Sequence, residues 1–191
     1  MKLNTINVLC IFTSLLSGQA SALEFKQVQA NESSVSFGYT QMGVPMEGKF
    51  NKFSAQVTFE PAKLANAQAR IDIDLASIDA GSVEANDEVA GKLWFNAKAY
   101  PTANFVSSGV KALSANRYEV SGKLSIKGAT RDVIAPVTFQ SSGTRGTFDG
   151  VFTIKRLDYK IGEGAWADLG TVANEIQIKF HVVVNAVPTK K

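Results

Sequence analysis

The residues that could perform chemistry are few, because the 191-residue chain contains one histidine, His181, and one cysteine, Cys10. A Ser-His-Asp triad would have to use His181, and a Cys-His pair would have to use both residues. The same counts exclude zinc sites built from clustered histidine and cysteine. His181 shares the alternating phase of Gln177 and Lys179, which is expected to face solvent. We therefore predict neither a catalytic residue nor a metal ligand here.

Two pairs of carboxylates are the remaining candidates for acid–base chemistry. Asp72 and Asp74 lie two residues apart on one face of a predicted strand, and Asp87 adjoins Glu88 in a predicted helix. Paired carboxylates can act as acid and base when their surroundings separate their pKa values. Alternating charges are more typical of a solvated face, which is the interpretation adopted for both pairs.

Arg156 lies at the point in the sequence where an alternation of apolar residues ends and a predicted loop containing Asp158 begins. Its guanidinium could hold the headgroup of a ligand or pair with a carboxylate. We expect the structural pairing, with Asp158, Glu163 or Asp168 as the partner. The loop that follows is rich in glycine and contains Trp166, a large aromatic residue that could cover an opening.

The composition bounds the class of protein that must position these residues. Hydrophobic residues make up 45% and charged residues 19% of the chain, which excludes a disordered protein. The length fits one domain with a substantial core. The net charge is only +3, and basic residues do not form a run interleaved with aromatics. No nucleic-acid partner is therefore predicted.

Most of the chain after residue 22 alternates apolar and polar residues with period two, which is typical of strands with one buried face. Ser82 to Leu93 instead has helical spacing, with Ser82 as the predicted N-cap. The fold class is therefore all-β, an antiparallel barrel with one short helix, and a two-sheet sandwich stays as the alternative. Small residues such as Gly122, Ala135 and Gly150 on the inward phase are expected to leave space. The eight predicted strands lie near 35–39, 53–59, 71–75, 104–107, 120–126, 133–139, 148–154 and 176–184.

Residues 1–22 have the pattern of a cleaved secretory signal peptide. Lys2 is a short positive region, an apolar run follows, and Ala20-Ser21-Ala22 is a small-x-small cleavage site. The apolar run is about half of the roughly 20 residues that span a bilayer, so a retained anchor is disfavoured. Cleavage leaves one domain, residues 23–191, without cysteine and without a further membrane span. The expected location is the periplasm.

Five segments together resemble the YceI-like family of polyisoprenoid-binding periplasmic proteins. They are the strand entry at 34–50, the Leu-Ala-Ser-Ile-Asp run at 75–79, the aromatic stretch at 94–107, the hairpin at 120–128 and the Arg-Leu-Asp-Tyr-Lys-Ile run at 156–161. The resemblance implies a lipocalin-like, eight-stranded antiparallel barrel around a long apolar pocket. It also implies non-covalent binding of a long-tailed lipid, a polyisoprenoid or isoprenoid quinone first, and no enzymatic activity.

The pocket residues predicted from the inward strand phases are mostly large and apolar. A slip of one residue would reverse every assignment. The predicted set is Phe37, Tyr39, Phe59, Ile73, Leu124, Ile126, Val137, Phe139, Phe152, Ile154 and Phe180.

Two other functions stay open at this point. One is a non-enzymatic interaction module with a filled core, serving a membrane redox or envelope-stress partner. The other is an enzyme that acts on a lipid headgroup through carboxylates alone. A bound isoprenoid or other long-chain lipid is the expected ligand, without a covalent cofactor. A homodimer and a membrane redox protein are the expected macromolecular partners.

Overall fold

The computed structural model describes residues 23–188, so the predicted signal peptide lies outside the described residues. Within that range the chain forms eleven strands and one α-helix, α1 (Val83–Ala90). Single turns of 3-10 helix occupy Ala30–Glu32, Leu64–Asn66, Leu75–Ser77, Arg156–Tyr159 and Gly164–Ala167. The strands are β1 (Leu23–Val28), β2 (Ser34–Gln41), β3 (Val44–Phe50), β4 (Phe53–Thr58), β5 (Gln68–Asp74), β6 (Ile78–Asp79), β7 (Thr102–Ser114), β8 (Arg117–Ile126), β9 (Ala129–Ser142), β10 (Arg145–Lys155) and β11 (Glu175–Pro188).

The strands form one antiparallel sheet in the order β4-β5-β7-β8-β9-β10-β11-β2-β3-β6, with β1 paired to the end of β11. The sheet curls so far that β1 lies beside Phe59, the residue that follows β4. There Phe25 and Phe59 exchange two backbone hydrogen bonds of 2.8 and 3.0 Å. The predicted all-β antiparallel fold with one short helix is confirmed, as a curled half-barrel.

The strand count is eleven rather than eight because β1, β3 and β6 lack the alternation that marks the others. A bulge between Phe25 and Gln27 interrupts β1. In β3, Pro45 and Gly48 leave no continuous apolar phase, and β6 is two residues long. α1 follows the expected cap, since the Ser82 hydroxyl accepts a hydrogen bond of 3.2 Å from the Ala85 amide.

Buried side chains form two clusters. The helix-end cluster contains Leu75, Trp94, Tyr159, Ile161 and Val172, among others. The second, which we call the aromatic cluster, is built from edge-on ring contacts. Its ring centroids lie 4.8 Å apart for Phe59 and Phe139, 5.2 Å for Phe59 and Tyr118, and 5.0 Å for Phe25 and Phe139.

The space above two inward glycines is filled, contrary to the expectation from sequence. A Cβ atom at Gly122 would overlap the ring of Phe105, and one at Gly150 would overlap the ring of Phe180. Phe180 lies directly opposite Gly150 in the β10–β11 ladder. These glycines therefore let an aromatic ring of the neighbouring strand lie flat on the sheet.

Gly150→Ala is expected to lower the free energy of unfolding by about 1–3 kcal/mol, the usual cost of overpacking. The new methyl group would also approach the Pro136 carbonyl oxygen to 2.7 Å, and backbone cannot easily give way. Gly109→Ala is the matched control, because nothing lies within 4 Å of a Cβ there. Urea denaturation that shows equal effects of the two changes would contradict the ring-over-glycine packing.

Candidate ligand-binding cavity

The curled sheet encloses a cavity of about 470 Å³. Its wall comes from the inner faces of the strands, and one side is completed by α1 and by side chains of the irregular segments around Trp94 and Trp166. The volume falls in the range of about 300–1,000 Å³ that is usual for small-molecule sites. A filled core would leave few voids larger than a water molecule, so this interior is not a filled core.

Ten of the eleven residues predicted for the pocket line this cavity. Their role in holding a ligand stays a prediction. They are Phe37, Tyr39, Phe59, Ile73, Leu124, Ile126, Val137, Phe152, Ile154 and Phe180.

Phe139 is the exception and does not line the cavity. Its ring lies over Gly146 and stacks at 4.6 Å on Phe148, so it lies within the aromatic cluster behind the wall. The strand phase correctly predicts that Phe139 is buried. It cannot predict which rotamer the ring adopts once a neighbouring glycine offers space.

Several lining residues were missed because they belong to elements without period two. Ala85 and Val89 lie one helical turn apart on α1, and Phe95 follows the helix. The i, i+4 spacing of Ala85 and Val89 marks an apolar helix face and was the available signal. Trp94 and Trp166 also line the cavity, with ring centroids 5.4 Å apart.

Arg156 is fully buried at the helix end of the cavity and is not paired with a carboxylate. Its guanidinium lies 5.7 Å from the centre of the Trp94 ring, within the range of a cation–π contact. Burial lowers the pKa of Arg156 from its usual value. Its five N–H groups donate to backbone carbonyl oxygens of the loop. Nε donates to Ala173 at 3.1 Å, one terminal nitrogen donates to Ile161 and Gly162 at 2.9 and 3.1 Å, and the other donates to Trp166 and Val172 at 2.7 Å each.

The predicted pairing of Arg156 with a nearby carboxylate is therefore wrong. Glu163 instead accepts a hydrogen bond of 2.7 Å from the Lys127 ammonium. Asp168 accepts bonds of 2.9 and 2.8 Å from the amide and hydroxyl of Thr171, which lower the pKa of Asp168. The carboxylates cap the loop from outside, and the arginine organises its backbone from within.

Four of the other candidate groups for chemistry, namely Asp72, Asp74, Asp87 and His181, do not line the cavity. Asp72 accepts two hydrogen bonds of 2.7 Å from Arg70, and Asp74 accepts one of 3.0 Å from the Ala76 amide. His181 is paired with Asp149 at 2.6 Å on the exposed side of the sheet. These contacts support the interpretation of solvated, structural groups.

Glu88 of α1 connects the helix to the loop that carries Trp166. Its carboxylate accepts a hydrogen bond of 2.8 Å from the Trp166 indole nitrogen, and both residues line the cavity. The bond holds a large aromatic ring against the helix, at a place where the lining includes exposed side chains.

Glu88→Ala is expected to lower the free energy of unfolding by about 1 kcal/mol, the usual cost of losing one hydrogen bond. Glu88→Gln keeps an acceptor oxygen and serves as the matched control. Urea denaturation measures the difference. Equal stability of Glu88→Ala, Glu88→Gln and the original protein would show that this bond does not hold the loop to the helix.

Within residues 23–188, no group of three or more His, Cys, Asp or Glu side chains is arranged to hold a metal ion. The helix in that range is too short and too polar to cross a membrane.

Comparison with known proteins places this geometry in a family. Residues 27–184 match the YceI-like domain. A UPF0312 protein of Pseudomonas putida (strain W619) is 30% identical over 175 residues, which cover 86% of this chain and 91% of that protein. The crystal structure of BcnA from Burkholderia cenocepacia is 52% identical, covers 82% of this chain and 99% of its own, and has a TM-score of 0.80.

A more distant solved structure has the same fold. A domain from Saccharophagus degradans, described as a polyisoprenoid binding domain, is 19% identical with a TM-score of 0.67. It covers 86% of this chain and 99% of its own. With the antiparallel curl, the enclosed cavity and the match over residues 27–184, the chain belongs to the YceI-like domain family.

Proposed function

We propose that this protein binds a long-tailed apolar lipid non-covalently, with a polyisoprenoid or an isoprenoid quinone as the leading ligand. The observation that carries the proposal is the cavity of about 470 Å³, whose wall consists almost entirely of aliphatic and aromatic side chains. Each methylene group moved from water into such a wall contributes about 0.8 kcal/mol. The description of the Saccharophagus degradans domain as polyisoprenoid binding supports the same ligand class.

The protein acts in this proposal as a carrier and not as an enzyme. Of the carboxylates that an enzyme might use, Asp72, Asp74 and Asp87 do not line the cavity, and Glu88, which does, accepts a hydrogen bond from the Trp166 indole. The proposal also includes export through a cleaved signal peptide, residues 1–22, into the periplasm. A homodimer and a membrane redox protein are the candidate partners, and sedimentation of the purified protein tests the first.

Intrinsic fluorescence gives a direct test, because the chain has two tryptophans and both line the cavity. Titration with geranylgeraniol is expected to change the emission of Trp94 and Trp166 and to saturate at one ligand per chain. Isoprenol, which has the same hydroxyl head and a single isoprene unit, is the control and should bind at least tenfold more weakly. Absence of a saturable change with geranylgeraniol, confirmed by calorimetry, would contradict lipid binding.

A further inference from the structure

Exposed hydrophobic side chains gather at one end of the sheet, around the turn between β2 and β3. Met42 in this turn is 76% exposed, and Val44, which follows the turn, is 56% exposed. Leu169, in the loop after Trp166, is 52% exposed. Single exposed hydrophobic residues are ordinary, whereas a group of them marks a contact site. We call Met42, Val44, Met46 and Leu169 the apolar tip.

Hydrogen bonds hold the two parts of the apolar tip together. The Met42 amide donates a hydrogen bond of 2.9 Å to the Thr171 carbonyl oxygen. The amide and the hydroxyl of Thr171 donate to Asp168 at 2.9 and 2.8 Å, which closes the turn that carries Leu169. Leu169 therefore lies at the same end of the sheet as the hairpin turn.

The apolar tip continues the wall of the cavity. Gln41 and Val172 form a bridge beside the hairpin turn, and both line the cavity. Val44 pairs with Gln41 across the hairpin, and Met46 pairs with Tyr39, which also lines the cavity. Directly opposite residues of two strands project to the same face. The inner face of this hairpin therefore runs from the cavity wall to the exposed tip.

The hairpin turn favours a polar residue at the position that Met42 occupies. Met42 and Gly43 have φ angles of 49° and 80°, so both have the left-handed conformation of a type I′ turn. Asn-Gly and Asp-Gly are the usual sequences in such a turn, because bulky side chains rarely adopt positive φ. Folding does not explain a methionine here, since it neither suits the turn nor packs in the core. A contact with another apolar surface does.

The charges around the apolar tip favour a lipid surface over a protein as its partner. Residues 40–46 and 169–173 contain no ionisable side chain. Glu47, the next residue along the hairpin, is already paired with Lys179 at 2.6 Å. A typical protein interface has about ten direct hydrogen bonds and is enriched in arginine, whereas residues 42–46 offer no side-chain N–H, O–H or carboxylate. Such a tip suits the acyl boundary of a bilayer, where the burial of apolar area supplies the binding.

From these contacts we infer that the apolar tip inserts into the surface of a lipid bilayer, and that the protein exchanges its ligand while it is docked there. A long-tailed lipid resides in a bilayer, and exposing its tail to water on the way to the cavity is unfavourable. A tip that continues the cavity wall shortens this exposure. The inference rests on the proposed function, because the ligand determines which surface the protein must reach.

Flotation of the purified protein with vesicles of dioleoylphosphatidylcholine, a lipid without net charge, tests the docking. The original protein is expected to float with the vesicles. Raising NaCl from about 0.05 M to about 0.5 M should not release it, because salt screens charges and not apolar contacts. In M42N/V44T the partition coefficient should fall at least about tenfold, since burial of one such side chain contributes about that factor or more.

The matched control I134T/V151T also removes two exposed hydrophobic side chains. Ile134 in β9 is 59% exposed and Val151 in β10 is 47% exposed, and neither belongs to the apolar tip. This control should keep the original partition coefficient.

Titration with geranylgeraniol separates docking from ligand binding. M42N/V44T should keep the original affinity, because neither residue lines the cavity. Its thermal midpoint should not fall, since asparagine suits the turn.

The outcomes distinguish the docking from the proposed function. An original protein that binds geranylgeraniol but does not float would overturn the docking and leave the proposed function intact. Equal flotation of M42N/V44T and the original protein would overturn the role of the tip, and release at high salt would overturn apolar insertion. A dimer that M42N/V44T converts to a monomer in sedimentation would make the tip an interface between copies and contradict the inference. Failure of geranylgeraniol to bind would overturn the proposed function, and ligand exchange with it, whatever the vesicles show.

Discussion

Replacing Arg156 with methionine is expected to lower the free energy of unfolding by about 3–5 kcal/mol. The substitution leaves five buried or half-buried carbonyl oxygens without donors, and each unsatisfied group costs about 1–3 kcal/mol before the loop relaxes. The thermal midpoint should fall by about 10 °C, since 1 kcal/mol corresponds to roughly 2–4 °C at this chain length. Scanning calorimetry of the purified protein measures both quantities.

Arg131→Met is the control, because Arg131 is exposed and its single hydrogen bond reaches the carbonyl oxygen of the adjacent Thr130. Its effect should stay within about 0.5 kcal/mol. If Arg156→Met fails to fold, Arg156→Lys gives an intermediate case with three donors in place of five. A stability of Arg156→Lys equal to that of the original protein would contradict the organising role of the guanidinium.

Filling the cavity is expected to have the largest effect on binding. Ala103 and Ala135 are both buried and line the cavity, in the helix-end and the aromatic cluster respectively. A phenylalanine at either position would occupy space that a ligand tail needs, so the affinity for geranylgeraniol should fall at least tenfold. Fluorescence titration of the two variants checks this expectation.

The destabilisation caused by these two substitutions should stay within the 1–3 kcal/mol that is typical of overpacking, because each new ring can enter the cavity. Ala115→Phe, in the exposed turn between β7 and β8, adds the same ring without touching the cavity. It should retain the original affinity. Normal affinity in Ala103→Phe and Ala135→Phe would place the ligand outside the cavity.

Alternation alone predicts much of this fold, for a physical reason. A strand with one buried face must alternate, so β8, β10 and β11 are visible in the sequence and their inward residues line the cavity. β3 is not visible, because only Phe50 of its inner face lines the cavity, whereas Val44 and Met46 are exposed and Gly48 lies under the ring of Phe37. Only Lys49 and Phe50 of β3 pair with β6, so the rest of the strand has no neighbour on that side and no need of an apolar phase.

The site is less predictable where side chains depend on tertiary partners. The helix α1 and the irregular segments around Trp94 and Trp166 contribute Val89, Phe95 and Trp166 to the wall of the cavity. These segments do not alternate with period two, so the strand pattern does not indicate them. The surroundings of Arg156 depend on how a loop folds back around the guanidinium. The sequence suggests a carboxylate partner for Arg156 because Asp158 is only two residues away. In the structure the folded loop instead surrounds the guanidinium with backbone carbonyl oxygens.

Native mass spectrometry of the protein isolated from its producing cells, followed by organic extraction, shows whether the cavity holds a long-tailed lipid. We expect one long-chain lipid per chain, retained by the original protein and lost in Ala135→Phe. A mass equal to that of the protein alone, together with no uptake of added geranylgeraniol or isoprenoid quinone, would contradict it.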